Sequence, residues 1–173
     1  MDSKKGQVDN YQGFELGPIR PPSEANSLLL RITRNCPWNK CKFCGLYRGE
    51  TFSIRPVEHL IRDIDTIWRF VDQIQEIMQQ PDGNYQNLSA IQTGLTQPDQ
   101  MAFHSALIWL RGGMKSVFLQ DANTLIVKPA DLIAILEYLR QTFPQIERVT
   151  AYARSHSVAR ISDEDLLRMA RAG

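Results

Sequence analysis

Cysteine is absent from this 173-residue chain except in one nine-residue stretch, Cys36 to Cys44, which holds all three. An odd, clustered set cannot staple distant segments, so a disulfide framework is excluded as the source of stability. Long apolar runs are missing too: nothing comes near the roughly 18–20 residues a membrane-spanning helix needs. Charge imbalance is also lacking, with 20 Lys and Arg against 19 Asp and Glu. So even a balance argues against a chain built chiefly to hold nucleic acid or an anionic membrane. The amino-terminal MDSKKGQVDNYQGFELG has no apolar segment after its lysines, so no secretory signal is expected and the expected compartment is the cytoplasm.

What is there suits a globular domain with one core: 43% of residues are hydrophobic and 23% charged. Residues 1–26 are polar and punctuated by Gly6, Gly13, Gly17, Pro18, Pro21 and Pro22. They read as an extended leader that wraps a surface or is partly disordered. Ser27 to Thr33 (SLLLRIT) reads as a buried strand, followed at once by the cysteine loop. From Pro56 the apolar residues Leu60, Ile64, Ile67, Trp68, Val71 and Ile74 recur at helical spacing, with Ser53 as a candidate cap. Glu58, Arg62, Asp63, Arg69 and Asp72 fall mostly outside that stripe, and both Trp68 and Trp109 read as core. Residues 81–99 are rich in turn formers and resist assignment. Further helices are expected over about 100–110, from Pro129, and from the Ser162 cap; further strands over 115–120 and 148–153.

Strands alternating with helices, without hairpin signals between them, imply right-handed crossovers and a parallel sheet. A closed eight-fold barrel typically takes about 250 residues. The expected fold is therefore α/β: a partial (β/α) barrel with parallel strands, truncated after about three βα units.

Cys36, Cys41 and Cys44 form C-x₄-C-x₂-C directly after the first expected strand. A structural zinc site wants four ligands, and only three thiols exist, the nearest histidine being His59. A [2Fe–2S] carrier of the plant type begins with the same spacing but needs a downstream cysteine, and residues 45–173 have none. A [4Fe–4S] cluster on three thiolates leaves one iron without a protein ligand, which is how a metal site is kept open for a reacting molecule. All three readings stand on the residues alone.

The segment RITRNCPWNKCKFCGLYRG resembles the cluster loop of the radical S-adenosylmethionine (radical SAM) enzymes, with a first interval one residue longer than the family's commonest C-x₃-C-x₂-C. The resemblance implies that residues 27–173 are the amino-terminal portion of a radical SAM core barrel. It implies that Cys36, Cys41 and Cys44 hold a [4Fe–4S] cluster whose open iron chelates S-adenosyl-L-methionine. Phe43 matches the family's aromatic position near the adenine. Asp121, in the turn after the second strand, stands where a glycine-rich acidic motif meets the methionyl amino group, although the glycines are absent here. The implied activity is reductive cleavage of the cosubstrate to a 5′-deoxyadenosyl radical that acts on an unidentified substrate. The implied partner is an external one-electron reductant, flavodoxin- or ferredoxin-like. No membrane partner is expected, and near-neutral charge leaves an RNA substrate without support from the sequence.

Around the loop, six basic residues (Arg31, Arg34, Lys40, Lys42, Arg48 and Arg55) face one acid, Glu50. They read either as counter-charges for the cluster, the cosubstrate or an acidic reductant, or as a solvated surface loop. Trp38 reads as a cluster shield or, rather, as packing for the leader. Arg154, Ser155 and His156 follow the third expected strand, where parallel strands end at ligand sites; they read as reaching such a site or, rather, as a polar loop before the Ser162 cap.

Overall fold

The computed structural model describes residues 10–81 and 85–173; residues 1–9 and 82–84 lie outside the described residues. Strands β1 (Leu28–Arg31), β4 (Ser116–Gln120) and β5 (Arg148–Ala151) form a parallel sheet in the order β1-β4-β5. Leu30 sits opposite Leu119, and Val117 opposite both Leu28 and Val149. Helices α1 (Val57–Gln79), α2 (Tyr85–Gln92) and α3 (Gln97–Arg111) occupy the first crossover, and α4 (Pro129–Thr142) the second. The short α5 (Ser155–Val158) and α6 (Asp163–Ala172) follow β5. The α/β alternation with parallel strands is thus as expected, but the sheet is open and does not close into a barrel.

Side chains alternate across a strand, so Leu28, Leu30, Val117 and Leu119 share one face, and all are in the main core with Leu60, Ile64 and Trp109 of the helices. The opposite face carries Leu29, Phe118, Gln120 and Thr150. The leader crosses that face. Gln120 Nε2 donates to the carbonyls of Gly17 and Ile19, and the Gly17 N–H donates to Gln120 Oε1 at 2.8 Å. Farther along, Glu24 accepts from Thr150 at 3.0 Å and from both Arg148 Nη atoms at 2.9 and 3.1 Å. Phe14 is driven into the core itself. A polar, glycine-punctuated stretch is held as an ordered strap because one aromatic and a few backbone polar groups find partners there.

Several expectations needed correction. The strand expected through Thr33 ends at Arg31, and the chain then pairs β2 (Thr33–Arg34) with β3 (Ser53–Ile54) as an antiparallel ribbon. Ser53 is therefore a strand residue; Pro56 precedes α1 and no side chain caps it. In the unassigned 81–99 stretch lies α2, and α3 starts at Gln97 because the Thr96 hydroxyl accepts from the Asp99 N–H. Asp63 is not outside the apolar stripe but fully buried, its charge met by Arg55. Trp109 is core as expected, with its indole N–H donating to the Ser116 carbonyl at 2.7 Å, whereas Trp68 is half exposed. Among the described residues no helix is long and apolar enough to cross a membrane.

Candidate metal centre at the carboxyl ends of the strands

The cysteine loop leaves the carboxyl end of β1 and returns at β3, so the β2–β3 ribbon closes its base. Two asparagines shape the path from inside. Asn35 and Asn39 have φ of 67° and 47°, a left-handed conformation that asparagine tolerates better than most residues. Asn35 Nδ2 donates to the Thr51 carbonyl at 2.7 Å, and Asn39 Nδ2 donates to the Tyr47 carbonyl. Asn39 N–H points at Cys36 Sγ, 3.4 Å away. The loop is tied at its base and open at its tip: Phe43 is 93% exposed, and nothing lies within 4 Å of where a side chain at Gly45 or Gly49 would begin.

Asp121 fastens this loop to the neighbouring strand. Its buried carboxylate accepts from Arg31 Nε at 3.0 Å, from the Asn35 N–H at 3.2 Å and from the Tyr47 hydroxyl at 2.9 Å. Burial, then the Asp121 charge, pushes the Tyr47 hydroxyl well above the ordinary tyrosine range, so it remains a donor. The turn after β4 is thus brought to the loop, and the Asp121 oxygens are committed to protein donors. In this arrangement it anchors the loop and offers no open face to an outside ammonium group.

A second layer of charge lies beneath. Glu15, from the leader, meets Arg31 at 3.0 Å, Arg34 at 2.5 Å and Arg55 at 2.8 Å. Burial pushes the Glu15 carboxyl up, but the Arg34 hydrogen bond and the three guanidinium charges outweigh it and hold the group below the ordinary carboxylate range. Arg55 also meets Asp63 at 2.6 Å, and Tyr11 donates to the other Asp63 oxygen at 2.8 Å. For Asp63 burial wins over Arg55 and Tyr11, and its carboxyl is raised. Three of the six basic residues are therefore neutralised internally by acids distant in sequence. Lys40, Lys42 and Arg48 have no carboxylate partner among the described residues.

Cys36, Cys41 and Cys44 are free thiols, each partly exposed on this one loop. As a donor set they fit iron–sulfur chemistry: soft, anionic when deprotonated and unencumbered by disulfides. Their positions are another matter. Among the described residues no three Cys, His, Asp or Glu side chains are gathered as a metal site, so a bound cluster requires the open tip to close around it. Trp38 is half exposed, with the Arg154 guanidinium from the turn after β5 4.5 Å from its ring centre and Lys40 Nζ 5.8 Å from it. His156 lines a cavity of about 450 Å³ beside Pro37.

Sequence reasoning missed Arg31, Tyr47 and Glu15 as supports of the loop. The two asparagines bracketing Cys36 were the available signal, since asparagine is the usual non-glycine residue at positive φ. Set against family models, curated proteins and solved structures, the chain finds no match in any of the three comparisons.

Proposed function

We propose that Cys36, Cys41 and Cys44 hold a [4Fe–4S] cluster and that the chain carries the radical SAM type of activity. The single observation that supports this most is the placement of three free thiols on one tip-open loop, anchored by Asp121 across the carboxyl ends of two adjacent parallel strands. Ligand sites in parallel α/β sheets lie at that end. When bound, such a cluster would pass one electron from an external reductant to the sulfonium of S-adenosylmethionine, so that its bond to the 5′ carbon breaks, methionine leaves and a 5′-deoxyadenosyl radical is free to take a hydrogen atom from a substrate.

The chain's own residues have these roles. The three thiolates hold the metal, and the missing fourth cysteine leaves a position for the cosubstrate. Asp121, Arg31 and Tyr47 are positioning residues that keep the loop base rigid while its tip adapts. Phe43, exposed beside Cys44, supplies an apolar face to an adenine. Lys40, Lys42 and Arg48 lower the cost of the cluster's negative charge and present a cationic surface to an acidic reductant.

Anaerobic reconstitution with iron and sulfide tests the reading. A brown protein with about four irons is expected, whose reduced EPR signal shifts on adding S-adenosylmethionine. Replacing any one of the three cysteines with alanine should abolish that signal. About two irons would mean a simple electron carrier, and colourless zinc-loaded protein a structural site; either overturns the proposal.

A further inference from the structure

The cavity beside the cysteine loop has a chemistry of its own. It lies where the loop after β4 meets the turn after β5, with Pro37 on its wall. Lys128, Arg154 and Arg160 line it, with His156 near them, and no carboxylate does. Among the described residues none of those three cations is ion-paired. That contrasts with Arg31, Arg34, Arg55 and Arg148, each of which has its carboxylate. All three are exposed, so water screens their repulsion, and they give the cavity a cationic lining in a chain whose net charge is only +1.

The walls are already built. Buried Asn123 donates to Ser157 Oγ at 2.8 Å and accepts from the Arg154 N–H at 3.0 Å, and the Thr124 N–H donates to the Tyr152 carbonyl at 2.9 Å. The two loops that carry the cations are thereby locked together. The Arg154 guanidinium carbon lies over the Trp38 ring, 4.5 Å from its centre, a contact that occupies no carboxylate and leaves N–H groups that can bind an oxyanion. Leu125, Ile126 and Ile161 supply apolar surface to the same cavity. Its size suits a small molecule.

We infer that this cavity binds a small organic anion, its carboxylate or phosphate held by Lys128, Arg154 and Arg160 and its apolar body against Leu125, Ile126 and Ile161. Calling that anion the substrate rests on the radical SAM reading; the binding does not.

Titration calorimetry on the intact chain with phenyl phosphate, phenylacetate and neutral benzyl alcohol tests it. At least one anion should bind, more weakly as salt rises, and at least about tenfold tighter than the alcohol. Preference between the two anions identifies the head group. Lys128→Ala and Arg160→Ala, both exposed and unpaired residues, should each weaken binding about tenfold. Equal binding of the alcohol, unchanged affinity in the double variant, or no binding by either anion overturns the inference. Iron loading measured on the same samples separates the two ideas: anion binding without a cluster keeps the site and removes its meaning as a substrate pocket. A cluster without anion binding overturns this inference alone.

Discussion

At the scale of single residues the balance at the cysteine loop is electrostatic. Asp121 holds three donors in a buried place, so Asp121→Ala leaves the Arg31 guanidinium with one fewer acid and strands the Tyr47 hydroxyl. Removing one partner of such a buried pair costs about 3–5 kcal/mol. A thermal melt should show that loss, and the variant should retain less iron than the parent. Gly17 adds a steric version of the same test. A Cβ there would lie 2.2 Å from Asp121 Oδ1, so Gly17→Ala must displace either the leader or the carboxylate. We expect about 1–3 kcal/mol of destabilisation by chemical unfolding, with no group lost from the network. The pH dependence follows from the same residues. Glu15 and Glu24 are both held below their ordinary range, burial opposing and hydrogen bonds and arginine charges prevailing. Their contribution is present above the ordinary carboxylate value of about 4.3 and disappears as pH falls through the lower folded value. Asp63, raised by burial, acts in the opposite sense: its contribution is complete below its unfolded value and lost as pH rises through the folded one. Acid titration of stability should therefore show a loss that sets in as pH falls below about 4.3 and that Glu15→Gln flattens. At the alkaline end, Tyr47 and Tyr11 are raised, so they stabilise below about pH 10 and that stability is lost above it. Absorbance at 295 nm should find these two ionising last or only on unfolding.

At the scale of elements, the leader and the ribbon are the parts whose roles composition concealed. Among the described residues Phe14 is the leader aromatic that enters the main core, and it lies beside Gly13, whose φ of 98° and close approach to Pro98 exclude a side chain. Phe14→Ala should cost about 3–5 kcal/mol and make residues 10–26 sensitive to limited proteolysis. A strap lying loosely on the surface would instead be cleaved equally in the parent protein. The two-residue β2–β3 ribbon escaped sequence reading because neither half is long enough to show a period, and their pairing is set by the loop between them. The longer elements were legible for the converse reason. Leu60, Ile64, Ile67, Val71 and Ile74 repeat over about four turns of α1, and such a stripe has few ways to be satisfied except against a sheet. Even so, Trp68 and Asp63 exchanged their expected places, because a favourable neighbour, Arg55, can make a charged position buried and a large ring can remain at a boundary.

At the scale of the whole molecule, the three strands lie parallel and open, and the cysteine loop, the anchoring Asp121 and the cationic cavity all lie at one end of them. The amino-acid order by itself determined the alternation of strands and helices, because hydrophobic periods of 2 and 3.6 are local properties. It also put three thiols on one loop, because they lie within nine residues, although the fold does not gather their side chains. What only the tertiary structure decided is who neutralises and holds that loop. Glu15, Arg55, Asp63 and Asp121 come from segments up to about a hundred residues apart, and a charge finds its partner by geometry, not by sequence distance. The unpaired cations of the neighbouring cavity became visible for the same reason: a lysine or arginine reads identically in a sequence whether or not the folded chain supplies its counter-charge.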